Sequence, residues 1–269
     1  MNHRPPPLLT LVGTALLGAV VGVLATAAPA HAATINYVAL GDSYSSGVGA
    51  GGYDPASGSC SRSPRSYTAL WAAGHAGTAF TSVACGGATT DDVLNKQLGA
   101  LNANTTMVTI TIGGNDSGFV TVVTTCLLGT DGACTFAVNS AKAYTTTVLP
   151  GKLDRTYAAI RSHAPHARVI VLGYPRLFEL TSSCGLFGMD LAKRRTLDGA
   201  ADTLAGVIAA RAGAAGDTFV DARGAFAGHG ICAGAPWINT TTWPVTDSYH
   251  PNGSGYRSGY LPALVGVTG

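Results

Sequence analysis

Charge is what this sequence has least of. Sixteen Lys and Arg and fourteen Asp and Glu make up 11% of 269 residues and leave a formal net charge of +2. No basic stripe or like-charge run occurs, which argues against a nucleic-acid partner. No Cys-x-x-Cys pair is present, so the usual spacing of a structural zinc site is missing and no metal is expected. No internal repeat, linker or low-complexity block divides the chain. Residues 33–269 are therefore expected to form one domain, long enough to bury a full core.

What is there begins with an amino-terminal segment unlike the rest. Arg4 gives a short positive start, an apolar run follows from Leu8 to about Ala28, and Pro29-Ala30-His31-Ala32-Ala33 closes it. Ala30 and Ala32 fit a small-x-small cleavage site, so residues 1–32 are expected to be a secretory signal peptide removed after Ala32. A membrane anchor is the rival reading of such a run. Its Gly and Ala content, the cleavage site and the lack of a flanking basic stop argue against a stable anchor. All six cysteines follow this segment: Cys60, Cys85, Cys126, Cys134, Cys184 and Cys232. An even count in an exported chain points to disulfides, whose pairing spacing alone does not choose.

Apolar, β-branched runs predict strands at Ile35–Leu40, Phe80–Ala84, Met107–Ile112, Arg168–Leu172 and Thr218–Val220. Helical spacing appears around Asp91–Leu98, through Leu153, Tyr157 and Ile160, and from Asp190 to about Ala212. Segments 47–66 and 237–247, rich in Gly, Pro, Ser and Thr, read as loops. Strands alternating with helices imply an α/β fold with a parallel sheet of about five strands and helices on both faces. Ligands bind such sheets outside the carboxyl ends of the strands, where the glycine-rich motifs here would gather.

Four motifs can carry chemistry. Gly41-Asp42-Ser43 follows the first strand, where a serine is exposed beside the amides of a following helix; alone, it reads better as a helix cap. Cys85-Gly86-Gly87-Ala88-Thr89-Thr90 could present free N–H groups or simply make a tight turn. In Gly113-Gly114-Asn115-Asp116, the Asn amide could donate to a developing oxyanion or form an Asx turn. Asp247-Ser248-Tyr249-His250 puts a carboxylate three residues before a histidine, able to turn back to Nδ1 and leave Nε2 as a base. His75, His163, His166 and His229 have no comparable setting.

Taken in order, Gly41-Asp42-Ser43, Gly87, Gly113-Gly114-Asn115-Asp116 and Asp247-Ser248-Tyr249-His250 resemble the four blocks of the SGNH hydrolases, also called the GDSL esterases and lipases. The six cysteines resemble those of its secreted bacterial lipase/esterase branch, which implies consecutive pairing. Tyr44 and Gly86 depart from the commonest residues of their blocks. The resemblance implies a three-layer, flavodoxin-like αβα fold and a serine ester hydrolase. Ser43 would be the nucleophile, His250 the base and acid, and Asp247 the group that orients His250. Ser43 N–H, Gly87 N–H and the Asn115 amide would form the oxyanion hole. No cofactor is expected, and a monomer acting on a small-molecule or lipid ester is the expected state.

A classical α/β-hydrolase would need Gly-x-Ser-x-Gly, which occurs nowhere in the chain. A non-catalytic binding module of the same fold is disfavoured by the intact Ser43, Asn115, Asp247 and His250. Within hydrolases, Trp237, Trp243 and Tyr249 could serve a carbohydrate acetylesterase. Phe119, Leu127, Leu128, Leu186 and Phe187 could instead line an acyl groove.

Overall fold

The structure, a computed structural model, describes residues 1–4, 35–181, 184 and 188–269. The expected signal peptide lies outside the described residues except for its first four, and so do Leu186 and Phe187. The fold starts at β1 (Asn36–Gly41), followed by α1 (Ser43–Ser46), α2 (Tyr67–Gly74), β2 (Ala79–Ser82), α3 (Thr90–Asp92) and β3 (Met107–Thr111). Then come α4 (Phe119–Leu128), α5 (Asp131–Thr147), α6 (Leu149–His163), β4 (Arg168–Leu172), α7 (Leu191–Ala214), β5 (Thr218–Val220), α8 (Ala222–Ala225) and α9 (Leu261–Thr268).

The five expected strands are all present, with ends displaced by a few residues, and they form one parallel sheet in the order β2-β1-β3-β4-β5. Every residue of β3 is buried, so both faces of the sheet are covered, as parallel strands require. The edge strand β2 alternates between exposed and half-buried positions. Helices α2 and α9 pack on each other, while α5, α6 and α7 form a second group. The helix expected through Leu153, Tyr157 and Ile160 is α6, and it buries all three of those side chains. Helix α7 starts one residue after its cap, Asp190, whose side chain accepts from Lys193 N–H.

This strand order has its switch point between β1 and β3. The chain leaves those neighbouring strands in different directions, and a crevice opens at their carboxyl ends. Ser43 and Asn115 follow these two strands.

Three disulfides join Cys60 to Cys85, Cys126 to Cys134 and Cys184 to Cys232. The first ties the long loop after α1 to the segment after β2, where Gly86 N–H also donates to the Cys60 carbonyl at 3.0 Å. The second fastens α4 to α5. Near the third, buried Arg194 donates to the carbonyls of Met189, Glu179 and Thr181 at 3.0, 2.7 and 2.9 Å. Among the described residues, no helix is long and apolar enough to cross a membrane.

Candidate active site

The turn after β1 is built for one residue type. Gly41 has φ +113°, and a Cβ there would stand 2.3 Å from the Thr111 carbonyl oxygen. Only glycine lets the chain turn so close to β3. Asp42 then caps α1, its Oδ1 accepting from Tyr44 N–H at 3.0 Å. The cap and the serine are thus different residues: Asp42 closes the helix end, and Ser43 stands at its first position.

His250 comes from the carboxyl-terminal loop, which is pinned to the loop after α1 at several points. Tyr44 Oη donates to the Tyr249 carbonyl at 2.9 Å, and Asn239 Nδ2 donates to the Gly49 carbonyl at 3.0 Å. Tyr256 Oη donates to the Val48 carbonyl at 2.7 Å. The loops approach so closely that a Cβ at Gly49 (φ +92°) would meet His250 Cβ at 2.8 Å. The outcome is a 2.8 Å contact between His250 Nε2 and Ser43 Oγ.

The other imidazole nitrogen differs from the sequence expectation. Nδ1 lies 3.0 Å from the Ser248 main-chain carbonyl, not against Asp247. The reason is the turn: Tyr249 adopts φ +61°, in the left-handed region, between Ser248 and His250. Asp247 Oδ1 instead accepts from Tyr53 Oη at 2.6 Å, and Tyr53 Oη itself accepts from Gly49 N–H at 2.9 Å. Asp247 therefore braces the two loops against each other. A carbonyl can only accept, so Nδ1 carries the proton, and Nε2 of the neutral ring accepts from the Ser43 hydroxyl.

Burial pushes the His250 pKa down from 6.5 to about 4, against the raising effects of the Ser248 carbonyl and the Asp247 charge. Protonation removes the lone pair on Nε2, so activity that depends on this base is lost as pH falls through the histidine's pKa. The acid limb of kcat/KM reports that pKa in the free enzyme. A pH-stat titration of a soluble ester should therefore find half-maximal kcat/KM near pH 4. A midpoint at the unperturbed value would show that burial does not control the base.

The expected oxyanion donors converge on the same place. Ser43, Gly87 and Asn115 line one groove together with His250. Among the described residues, neither Ser43 N–H nor Gly87 N–H donates to another protein group. Asn115 Nδ2 gives one hydrogen to the Ala88 carbonyl at 2.9 Å, which leaves its second for a ligand. Asp116 accepts from Thr90 N–H and Oγ1 at 3.0 and 2.6 Å, locking the segment after β3 onto the start of α3.

Sequence reading missed one group beneath the site. Tyr174, just past β4, donates from Oη to Asp42 and accepts from Gly114 N–H at 3.2 Å. It thus links the serine turn to the Asn115 loop. Burial raises the Asp42 carboxyl to about 6, although Tyr174, Thr111 and Tyr44 N–H all favour its charged form. The available signal was position, since Tyr174 follows a strand-ending glycine as Ser43 and Asn115 nearly do. The other histidines lie elsewhere: His75 stacks on Trp71, His229 stacks on Trp237, and His163 Nδ1 meets the Ala159 carbonyl. Among the described residues, no group of three or more His, Cys, Asp or Glu is placed to hold a metal.

The model of the GDSL-like lipase/acylhydrolase family matches residues 39–258. The chain belongs to this family. A lipase of Streptomyces rimosus is 51% identical over 261 residues, covering 97% of this chain and 96% of that protein. The crystal structure of an extracellular lipase from S. rimosus superposes with a TM-score of 0.85 at 52% identity, covering 87% of this chain and all of that one. That of phospholipase A1 from Streptomyces albidoflavus NA297 gives 0.84 at 50% identity, covering 87% and 99%. The GDSL-family blocks read from the sequence fall inside the matched span, and the fold is that of these relatives.

Proposed function

We propose that this chain is a secreted lipase/esterase that cleaves carboxylic esters of lipids through an acyl-enzyme on Ser43. One observation carries the assignment: the 2.8 Å contact of Ser43 Oγ with a neutral His250 whose Nδ1 is held by the Ser248 carbonyl. His250 takes the Ser43 proton as Oγ attacks the ester carbon. Ser43 N–H, Gly87 N–H and the Asn115 amide bind the oxygen that becomes negative. His250 returns the proton to the leaving alcohol, and water repeats the steps to free the acid and the enzyme. Residues 1–32 serve as the export signal, and residues 33–269 are the mature catalytic domain.

Lipid as the ester class is supported by the groove, walled by Val48, Phe119, Leu127, Leu128 and Val245. It is supported too by relatives named lipase and phospholipase A1. Of the three aromatics that could serve a sugar ester, Trp237 is stacked by His229 and Tyr249 is buried, while Trp243 stands exposed. The test is labelling by a fluorophosphonate together with turnover of p-nitrophenyl esters. Stoichiometric modification of Ser43 and matching loss of activity are expected. A pure binding module would take up no label.

The role given to Asp247 is separately testable. In a triad, the acid that holds the imidazole contributes about 10⁴-fold to turnover. Here Asp247→Asn keeps an acceptor for Tyr53, so kcat should fall by less than about tenfold. A loss of four orders of magnitude would return Asp247 to the place under His250.

A further inference from the structure

The turn that carries Ser43 lies where two strands part. β2 ends at Ser82, although Val83 N–H and Cys85 N–H still donate to the Ala39 and Gly41 carbonyls, each at 3.0 Å. The chain then turns away to present Gly87, whose N–H is one of the expected oxyanion donors. In a parallel ladder the Gly41 N–H would go to a carbonyl of that departing chain. It goes elsewhere, and a buried peptide N–H is rarely left unpaired.

A side chain takes the place of the strand. Gln97 ends the helical turn Val93–Gln97, which continues α3, and it is only 2% exposed. Its Oε1 accepts from Gly41 N–H at 2.7 Å, and its Nε2 donates to the Gly41 carbonyl at 2.9 Å. A side-chain amide offers the acceptor and the donor of a peptide group in one plane, which a carboxylate or a hydroxyl does not. The same segment also meets the Asn115 side of the site. At its start the Ala88 carbonyl accepts from Asn115 Nδ2, and Thr90 donates twice to Asp116. Residues 88–97 supply no reacting group, yet they adjoin or bond the supports of all three oxyanion donors.

We infer that Gln97 is a positioning residue for the nucleophile: its amide stands in for a strand beside Gly41 and holds the Ser43 turn while the chain after β2 departs to present Gly87. The inference rests on the ester-hydrolase reading above. Gln97 does not line the groove, and it acts through Gly41, two residues before the nucleophile. What it protects is the 2.8 Å approach of Ser43 Oγ to His250, which stands on a different loop. A small displacement of the turn lengthens that contact and carries Ser43 N–H away from the oxyanion. Both losses fall on turnover, while the walls that bind the ester stay where they are.

Gln97→Met keeps the bulk and removes both bonds. With p-nitrophenyl butyrate, kcat should fall about 30-fold or more and KM should change less than about threefold. Gln97→Glu supplies a readout that a packing role would not move. Its carboxylate can accept from Gly41 N–H but turns a second oxygen on the Gly41 carbonyl, whereas the protonated acid regains a donor and matches the amide. Burial raises such a carboxyl above its ordinary value of about 4.3, with the neutral form prevailing below the raised pKa. The ratio of variant to parent kcat should therefore rise about tenfold or more from about pH 8 to about pH 5. His250, Asp42 in the turn, and Asp91, Asp92, Lys96, Asp116 and Lys152 around the segment are present in both proteins and divide out of that ratio. A flat ratio would overturn the inference, as would a kcat for Gln97→Met within about threefold of the parent. Circular dichroism shows which variants are folded across this range; where only one is, its result decides. If neither is folded at about pH 8, Gln97 determines the fold instead of turnover and the inference fails. A parent that turned over no ester would overturn the ester-hydrolase reading itself, a different outcome from either.

Discussion

Ser43→Ala and His250→Ala are each expected to lower kcat on a soluble ester by about 10⁴–10⁶-fold, and the double variant should be no worse than the weaker single one. The two side chains form one device. The hydroxyl is a poor nucleophile until Nε2 takes its proton, and Nε2 has no other proton to move in the attacking step. Removing either member ends covalent catalysis, so the second removal has nothing left to cost. The residual rate belongs to the oxyanion donors and to substrate binding, which both variants retain. The melt of Ser43→Ala should stay within a few degrees of the parent, because it removes one hydrogen bond worth about 1 kcal/mol. His250→Ala removes two and a buried ring packed on Tyr44 and Phe119, and should melt lower. Losses that multiply in the double variant, as measured by steady-state kinetics, would mean that the two side chains act separately.

Asn115→Ala is expected to lower kcat by about 10²–10³-fold, roughly 3–4 kcal/mol of barrier, with KM changed much less. The oxygen it serves is a neutral carbonyl in the bound ester and an anion in the transition state. A charged acceptor roughly doubles the worth of the bond, so the amide discriminates between the two states. Asn115 also holds the Ala88 carbonyl at 2.9 Å, and its removal therefore loosens the segment that carries Gly87. Both consequences fall on the same oxyanion. The disulfide between Cys60 and Cys85 still fastens that segment and should limit the melt to a small shift. A fall of less than a few-fold would take Asn115 out of the hole, and a rise in KM alone would make it a binding residue.

The sequence was most informative where chemistry and topology coincide. Buried parallel strands are apolar and β-branched, and each stops at a glycine-bearing turn, so β1, β3 and β4 could be read directly, with Ser43 and Asn115 just past their ends. Helix α4 could not be read this way. Its sequence, Phe-Val-Thr-Val-Val-Thr-Thr-Cys-Leu-Leu, is rich in β-branched residues that favour strands. Packing against α5 and the bond from Cys126 to Cys134 override that preference. A cavity of about 80 Å³ beside Ser43 was hidden with that helix, because its walls come from α4, from α5, which was also unread, and from α7. The group under His250 escaped for a different reason. Asp247 has a carboxylate that draws attention in a sequence, whereas every residue has a carbonyl. Only the left-handed backbone of Tyr249 selects the one at Ser248.

That choice of a main-chain acceptor has a consequence for inheritance. A carboxylate under the imidazole is one codon away from loss, and it would also be neutralised by acid near its ordinary pKa of about 4. The Ser248 carbonyl belongs to the peptide itself. No side-chain replacement at position 248 deletes it, and no proton in the working range silences it. Variation can still reach it through the shape of the loop, at Tyr249, Asn239 or Gly49. The vulnerable positions for orienting the base are therefore its neighbours, and saturation mutagenesis should find position 248 more permissive than any of those three.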